Sequence, residues 1–421
     1  MTVNRQRVED FVRHDLKRAA KRVYQPMLIE LARHWRTRLR RTRFIGITGS
    51  AGKTTAKDLL HAALSGSRRA VKNDDSNNSL YSVARTVLAA RPRTDFCIQE
   101  VGLSHEPGRI PKIIELLRPH VGIVTLIGMD HRSAFRSREA IAAEKVQLVA
   151  SLPSDGIAVL NADDPLVASM ARQTAAAVRT FGFGPDAEFR GEVFGARFPE
   201  RLVLVVRHGA GSTRIQTRLC GRHHAVSVLA AFAAAVSVGV APEDAAAGLA
   251  DCEPMLGRMS VQHTPRGVTI IRDDYKAPAW SLAAALQVLK DAGAQRKIAV
   301  IGTLSDYSGS SRRTYRRAVR MALGAADRVL VIGDWAPGRV ERWADVDQQR
   351  LHGFSSVRAA SDWLQAFAQP GDLVLLKGSL MADHLARVAL SFEREIGCWR
   401  RRCPYHVFCD HCRLLGVSSD P

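Results

Sequence analysis

The sequence predicts an α/β protein with two domains, each built on a mostly parallel sheet. Short apolar strands alternate with helical segments twice along the chain, from about residue 44 and again from about residue 260. Such alternation produces β-α-β units, in which a helix carries the chain back to start the next parallel strand. The chain has 421 residues. Since a single core rarely grows beyond about 250–300 residues, we expect more than one domain.

The spacing of apolar residues predicts the elements of the first half. Residues 5–42 have apolar residues three or four apart and are expected to be helical and basic. Strands are then predicted at Phe44–Thr48, Asp95–Val101, Val121–Ile127 and Ile157–Leu160, with shorter β-type runs at Leu202–Val206 and Arg214–Leu219. Helices are predicted from the loop after residue 48 to Leu64, at Ser137–Ser151 and at Ala225–Val240.

The pattern restarts in the second half with the same alternation. Strands are predicted at Val268–Arg272, Lys297–Ile301, Arg328–Ile332 and Leu373–Leu376. Helices are predicted at Ser281–Asp291, Arg312–Leu323, Ser356–Phe367 and Ala382–Phe392. We therefore expect a basic extension at 1–43, a first domain at 44–258, a second domain at 259–396 and a tail at 397–421.

Composition and charge limit the classes of function. The 61 basic and 41 acidic residues give a net charge of +20, and residues 1–43 alone hold 13 basic and four acidic residues. Such an excess suits anionic partners, including nucleotides, nucleic acid and anionic membrane surfaces. No apolar segment has the character of a membrane span, and the N-terminus lacks the apolar core of a secretory signal. A cytoplasmic location is expected.

A glycine-rich loop after the first strand is the strongest chemical signal. Its residues are Thr48, Gly49, Ser50, Ala51, Gly52, Lys53, Thr54 and Thr55. A loop of this kind between a strand and a helix turns backbone amides towards a polyphosphate. Lys53 can reach the β- and γ-phosphates of such a ligand, and the Thr54 hydroxyl can bind Mg²⁺. Glu100 ends a strand beside this loop, a position that suits a metal-binding carboxylate.

The loop and several later motifs resemble those of the Mur ligase family. These are ATP-dependent ligases of peptidoglycan precursor synthesis that form amide bonds, with a central P-loop ATPase domain and a C-terminal Rossmann-like domain. The resemblance extends from about residue 44 to 392. It implies that ATP and Mg²⁺ take part and that an amino acid or dipeptide is joined to a small-molecule carboxylate.

The resemblance also assigns residues to the ATP and metal sites. It implies that Glu100 and His131 lie at the metals and that Lys145 becomes a carbamate, which can bind Mg²⁺ where an amine cannot. His224 stands in the segment that contacts adenine, where the family has asparagine, and Ser227 replaces a second asparagine. Arg258 is implied to stabilise charge on the transferred phosphate, and Asp274 to face the nucleotide.

The substrate side is implied by shorter motifs. Asn77 and Asn78 stand where the family has paired asparagines near the substrate, and Lys377 and Ser379 match its Lys-Gly-Ser segment near the amine. Only about 43 residues precede the first strand, too few for the family's usual N-terminal domain that binds a UDP-sugar. The carboxylate substrate therefore need not be a UDP-muramoyl peptide.

Four cysteines in the tail are additional to the family pattern. They are Cys398, Cys403, Cys409 and Cys412, with His406 and His411 between them. Thiolates and imidazoles at short spacing can hold Zn²⁺, and an iron–sulfur cluster is a second thiolate option. Reduced, solvated thiols are the alternative.

Two other functions remain open at this point. A P-loop NTPase could bind nucleic acid, or an anionic membrane surface through its N-terminal basic helices. Nucleic acid is the less favoured partner because only 6% of the residues are aromatic. A degenerate ligase fold could instead serve as a scaffold, given His224 and Ser227.

Overall fold

The computed structural model describes residues 24–103, 108–129, 135–209, 211–343, 349–401, 403, 405 and 407–418. These residues form two compact units. The first takes the described residues of 1–128, 138–190 and 229–248, and the second those of 129–137, 191–228 and 249–421. No helix among the described residues is both long and apolar enough to cross a membrane.

Strands and helices alternate along most of the described chain. The strands are β1 Arg43–Thr48, β2 Ala70–Lys72, β3 Phe96–Glu100, β4 Val121–Val124, β5 Ile157–Asn161, β6 Ala177–Gly182, β7 Phe189–Gly195, β8 Val203–His208, β9 Gly211–Gln216, β10 Ser260–His263, β11 Thr269–Asp273, β12 Arg296–Ile301, β13 Arg328–Ile332, β14 Leu351–Phe354 and β15 Asp372–Lys377. The helices are α1 24–38, α2 Lys53–Ser65, α3 Leu80–Ala89, α4 Arg109–Leu117, α5 Arg138–Ala150, α6 Pro165–Ala168, α7 Ala225–Ser237, α8 Pro242–Ala250, α9 Leu282–Asp291, α10 Ser311–Leu323, α11 Val357–Phe367 and α12 Ala386–Leu390.

The first sheet places the ends of several strands side by side. Its order is β2-β3-β1-β4-β5-β6-β7-β8-β9, and β1 runs parallel to both β3 and β4. This register puts Glu100, the last residue of β3, beside the end of β1. The loops that leave these strands begin at the same edge, so their polar residues come together there.

The second sheet has helices on both faces. Its order is β10-β11-β15-β12-β13-β14, and all neighbouring strands are parallel except β10 and β11. In β12, Ala299 and Ile301 pack into the core with α9 and α10. Ile298 and Val300 pack into the opposite core with α11 and α12. Because alternate residues face opposite sides, a strand covered on both sides is apolar throughout. The predicted α/β class with parallel sheets is confirmed.

Helix α1 is held to the first unit by a buried arginine. The Arg36 guanidinium donates to the carbonyls of Leu117 and Arg118 at 2.8 and 2.9 Å and lies over the Phe44 ring. These carbonyls end α4, where the helix dipole favours a cation. Burial lowers the pKa of Arg36 to about 10. This residue of the basic extension therefore serves packing. The predicted helical residues before 24 lie outside the described residues.

The helix predicted at Ala382–Phe392 is shorter than expected, since α12 begins only at Ala386. The Asp383 carboxylate accepts hydrogen bonds from the amide and hydroxyl of Thr303 and the amide of Ser379, at 2.6–2.9 Å. His384 follows with a φ of 52°. A left-handed residue cannot continue a right-handed helix, so α12 starts after it.

Stability should fall in acid because of His384. Burial, followed by the nearby Arg387 guanidinium, lowers the pKa of His384 to about 4. Below the ordinary histidine pKa of about 6.5 the unfolded chain takes up a proton that the folded chain does not. The free energy of unfolding should therefore drop between pH 7 and pH 5, by about 2 kcal/mol from this group.

The variant His384→Asn tests this expectation, because asparagine tolerates a positive φ. It should lose less stability between pH 8 and pH 5 than the unmodified protein, measured by urea unfolding followed by tryptophan fluorescence. An equal loss in the two proteins would refute the assignment to His384.

Candidate functional site

The loop after β1 has the geometry of an anion-binding turn. β1 ends at Thr48, and α2 begins at Lys53 directly after Gly52. Gly52 has a φ of 76°, and no side chain caps the first turn of α2. The amides of a helix N-terminus carry partial positive charge, which suits phosphate oxygens. The structure thus has the strand, loop and helix that the sequence predicts.

Gly49 is required because the loop closely approaches the end of β4. Its φ is 143°, and a Cβ at this position would overlap the Thr125 hydroxyl. That hydroxyl donates to the Ala51 carbonyl at 2.6 Å, so it cannot turn away without breaking a loop contact. A second hydrogen bond joins the loop to the chain after β4, because the Ser50 amide donates to the Leu126 carbonyl at 2.8 Å.

The variant Gly49→Ala should distort the loop while leaving the domain folded. We expect a loss of about 1–3 kcal/mol in stability from the strained φ, and a larger loss in nucleotide binding, at least about tenfold. Titration with a nucleotide and thermal unfolding measure the two effects. Gly66→Ala is the matched control, since a Cβ there meets nothing within 4 Å at a φ of −66°. Equal nucleotide affinity in both variants would contradict the role of Gly49.

A hydroxyl and a carboxylate meet beside this loop. Thr54 Oγ1 donates to Glu100 Oε2 at 2.7 Å, and Asn78 Nδ2 donates to Glu100 Oε1 at 3.3 Å. Thr54 and Glu100 are buried. In nucleotide sites Mg²⁺ takes oxygen donors from a hydroxyl and one or two carboxylates, together with phosphate oxygens. The donors present here fit Mg²⁺.

Two lysines from different helices converge on one carbonyl of the loop. Lys53 Nζ donates to Gly49 O at 2.8 Å, and Lys145 Nζ donates to the same oxygen at 3.0 Å. Lys145 comes from α5 and is fully buried. The structure therefore brings Lys145 to the loop, although about 90 residues separate them in the chain. His131 lies outside the described residues, so its place at a metal stays a prediction.

Two buried residues that the sequence analysis did not single out support this edge of the sheet. Asn73 Oδ1 accepts a hydrogen bond from the Glu100 amide at 2.8 Å, and its Nδ2 donates to the Asn77 carbonyl at 2.9 Å. Lys57 in α2 is fully buried and donates to the carbonyls of Asn73 and Asp75. Burial is the main cause that lowers the pKa of Lys57. The sequence signal that could have identified Lys57 is its position among the apolar residues on the buried face of α2.

The second unit gathers polar residues where β11 and β15 end. Lys377 Nζ donates to Asp273 Oδ2 at 2.6 Å and to the Lys276 carbonyl at 3.1 Å. Ser379 donates its amide to Asp383, whose carboxylate also holds the loop after β12. The two predicted substrate residues of this unit therefore lie on one fixed segment.

Asp274 is turned into the protein. Its carboxylate is 2% exposed and accepts a hydrogen bond from Arg272 Nη2 at 3.4 Å. The pKa of Asp274 is raised, mainly because the carboxylate is buried. This placement argues against the expectation that Asp274 faces the nucleotide. The neighbouring Asp273, to which the sequence analysis gave no role, has the more accessible carboxylate.

Gly257 and Arg258 pack directly against this segment. Gly257 has a φ of 74°, and a Cβ there would lie 3.1 Å from Asp274 Oδ1 and 3.2 Å from the Tyr275 amide nitrogen. That amide donates to the Gly257 carbonyl at 3.1 Å. The Arg258 guanidinium lies over the Tyr275 ring, 4.8 Å from its centre. The Gly-Arg pair is therefore joined to the end of β11.

His224 is buried at the start of α7. Its ring lies 4.1 Å from the ring of His223, and its Nε2 is buried without a hydrogen-bond partner. Burial lowers the pKa of His224 well below the ordinary value, so the ring stays neutral near pH 7. A neutral imidazole offers one donor and one acceptor. Its predicted contact with adenine stays a prediction.

The tail does not support the predicted zinc site. Within the part of the chain that the structure describes, no three His, Cys, Asp or Glu side chains are grouped to hold a metal ion. Cys409 is buried against α12, 3.4 Å from His384 Nδ1, and burial raises its pKa to about 12, so it favours the thiol. The other tail cysteines are reduced and half-buried: Cys398, Cys403 and Cys412. Packing, rather than metal binding, accounts for Cys409.

Comparison with protein families gives two matches. Residues 47–235 match a model described as the Mur ligase middle domain, and residues 257–380 match one described as the Mur ligase, glutamate ligase domain. The tail lies outside both matches.

Proteins that are similar to this chain in sequence or in fold are named as ligases or as MurF. The UDP-N-acetylmuramoyl-tripeptide–D-alanyl-D-alanine ligase of Mycobacterium tuberculosis is 34% identical over 358 residues, 80% of this chain and 70% of that protein. The enzyme of the same name from Bacillus subtilis is 29% identical, covering 80% and 73%. A crystal structure of MurF from Acinetobacter baumannii superposes with a TM-score of 0.79 at 24% identity, covering 87% of this chain and 80% of that one. MurF ligase from Thermotoga maritima in complex with ADP gives a TM-score of 0.73 at 21% identity, covering 87% and 82%.

Proposed function

The chain belongs to the Mur ligase family and is an ATP-dependent ligase that joins a carboxylate to an amine, and we propose D-alanyl-D-alanine as its amine substrate. Its carboxylate substrate, in this proposal, is a muramoyl peptide linked to UDP. The observation that carries the proposal is the grouping of Lys53, Thr54, Glu100 and Lys145 at one loop, within a chain 34% identical to a ligase with those substrates. We place the reaction in the cytoplasm, where ATP is supplied.

The reaction that fits this site has two steps. The substrate carboxylate attacks the γ-phosphorus of ATP, which forms an acyl phosphate and releases ADP. The amine then attacks the acyl carbon, and phosphate leaves with one oxygen of the original carboxylate. Phosphorylation is needed because a free carboxylate is a poor electrophile.

Residues of the first unit bind and orient the triphosphate. The amides of the 49–52 loop and Lys53 hold the phosphates, which aligns the γ-phosphorus for attack. Thr54 and Glu100 would hold Mg²⁺, with His131 assigned to a second metal. The bound metal neutralises charge on the phosphates. We assign Lys145 as a carbamate, formed when its amine adds to CO₂ and loses a proton, which would give the site a further anionic oxygen ligand.

Residues of the second unit serve the phosphate and the amine. Arg258 supplies a planar cation for the charge on the transferred phosphate. Asp273 and Lys377 hold each other, which fixes the segment on which Ser379 lies. We assign this segment to the amine substrate.

A ligation assay tests the proposal. The protein is incubated with ATP, Mg²⁺, a UDP-muramoyl tripeptide and D-alanyl-D-alanine, and the product is identified by its mass. We expect a pentapeptide product and ADP release that depends on both substrates. L-alanyl-L-alanine and single amino acids are the control amines. ATP turnover that is indifferent to every amine would contradict the proposal and favour a plain NTPase, whose nucleic-acid binding should weaken steeply with salt.

A further inference from the structure

The tail comprises residues 397–421, and its described residues (397–401, 403, 405 and 407–418) belong to the second unit, where several of them pack against α12. Ile396, just before the tail, and Leu415 share a small apolar core with Leu390 of α12. The buried Arg387 donates to the carbonyls of Cys398 and Arg400 at 3.2 and 3.0 Å. It also donates to the Asp383 carbonyl at 2.9 Å. One guanidinium therefore connects the tail to the residue that holds Ser379.

A second connection joins the tail to the end of β11 through buried charges. Arg272 is 2% exposed and donates to both carboxylate oxygens of Asp410, at 2.6 and 3.1 Å. Its Nη2 also donates to Asp274 at 3.4 Å. A buried guanidinium that donates to two carboxylates has a fixed orientation, because turning it would break charge-assisted hydrogen bonds where no water can replace them.

A third connection is aromatic. The Phe408 ring stacks on the Tyr275 ring, with centres 5.7 Å apart and planes at 28°. Tyr275 in turn lies under the Arg258 guanidinium. Among the described residues, the structure gives Arg258 no ion pair, and its Nε is buried without a hydrogen-bond partner. The ring of Tyr275 is therefore a contact that orients Arg258.

We propose that Phe408 and Asp410 of the tail are positioning residues of the ligase site, which fix Asp273–Tyr275 and thereby orient Arg258. The proposal rests on the proposed function for the role of Arg258. Phe408 limits the tilt of the Tyr275 ring by stacking on it. Asp410 fixes Arg272, which in turn donates to Asp274 of the same segment. Both residues lie outside the two family matches, so this chain adds its own support to the site.

Steady-state ligation by the full chain tests the proposal. Phe408→Ala should lower kcat about 10- to 30-fold and change the KM for ATP less than about threefold, because Arg258 acts on charge that develops in the reaction. Phe408→Tyr keeps the stack and should stay within about threefold of the unmodified protein. Tyr405→Ala, at an exposed tail aromatic, is the matched control and should have no effect. Unchanged kcat in Phe408→Ala would overturn the proposal.

A double-mutant cycle separates positioning from general destabilisation. In an Arg258→Ala background, Phe408→Ala should cost less than about threefold more, because its effect acts through Arg258. If Phe408→Ala lowered kcat by the full 10- to 30-fold in the Arg258→Ala background, the proposed action of Phe408 through Arg258 would be refuted. Asp410→Asn keeps the side-chain volume and should lower kcat about tenfold. It serves as the second variant if Phe408→Ala does not fold, and wild-type kcat for it would contradict the proposal.

A measurement without turnover keeps this inference distinguishable from the ligase function. The chain has six tyrosines, so fluorotyrosine labelling gives a small ¹⁹F spectrum in which Tyr275→Phe identifies one signal. Phe408→Ala should shift or broaden the Tyr275 signal, and Tyr405→Ala should leave it unchanged. A Tyr275 signal that is unaffected by Phe408→Ala refutes the proposal even in a protein that ligates. A protein with no ligation but a shifted signal would refute only the proposed substrates and reaction.

Discussion

Replacement of Lys53 by alanine should abolish ligation, with kcat at least about a thousandfold lower and the fold intact. Lys53 begins α2 at the phosphate loop, and its amine lies 2.8 Å from the Gly49 carbonyl. Alanine has no cation to offer, so the γ-phosphate would lose the flexible positive charge that the start of α2 supplies. Product mass and ADP release measure the effect.

The control for Lys53→Ala is Lys112→Ala, which removes an exposed lysine from α4. It should ligate at the normal rate and unfold at the same temperature as the unmodified protein. Ligation that survives Lys53→Ala would contradict the assignment of the loop. If neither the unmodified protein nor the Lys53→Ala variant ligates, and both keep a cellular role, the protein acts as a scaffold.

Replacement of Glu100 by glutamine should lower kcat about 10²- to 10³-fold and raise the Mg²⁺ concentration needed for half-maximal rate. Glutamine has the same size, and its one amide oxygen can still accept the hydrogen bond from Asn78, while its amide nitrogen can donate to the Thr54 hydroxyl oxygen. It lacks the negative charge that binds a divalent cation. The change should therefore appear in the Mg²⁺ dependence of the rate and leave thermal stability nearly unchanged.

Glu115→Gln is the control for Glu100→Gln. Glu115 lies in α4, is 60% exposed and forms an ion pair with Arg33 at 3.4 Å. Its variant should keep the normal Mg²⁺ dependence, since exposed ion pairs contribute little. An unchanged Mg²⁺ requirement in Glu100→Gln would contradict the metal role of the carboxylate.

The sequence predicts the phosphate loop and its surroundings well because local patterns specify them. A strand, glycines and a Lys-Thr pair at the start of a helix define the loop from adjacent residues, and the structure has this order. Glu100 reaches the loop because parallel strands end at one edge. The position of Lys145 could not be predicted from the spacing of residues, since the packing of α5 brings it to Gly49.

The residues that the sequence did not predict are those whose role depends on distant partners. Asp274 is buried because Arg272 lies beside it and Asp410 of the tail completes the charge cluster. The tail cysteines resemble a metal site by spacing, yet Cys409 packs against α12 as an apolar group. The shortened α12 follows from the left-handed His384 and the contacts of Asp383. None of these contacts leaves a periodic signal in the sequence.

In the proposed reaction, ATP activates the substrate acid as an acyl phosphate. A carboxylate substrate labelled with ¹⁸O tests this step through the isotope content of the released phosphate. We expect each phosphate released during ligation to carry one ¹⁸O atom from the carboxylate. Amide formation with unlabelled phosphate would contradict it.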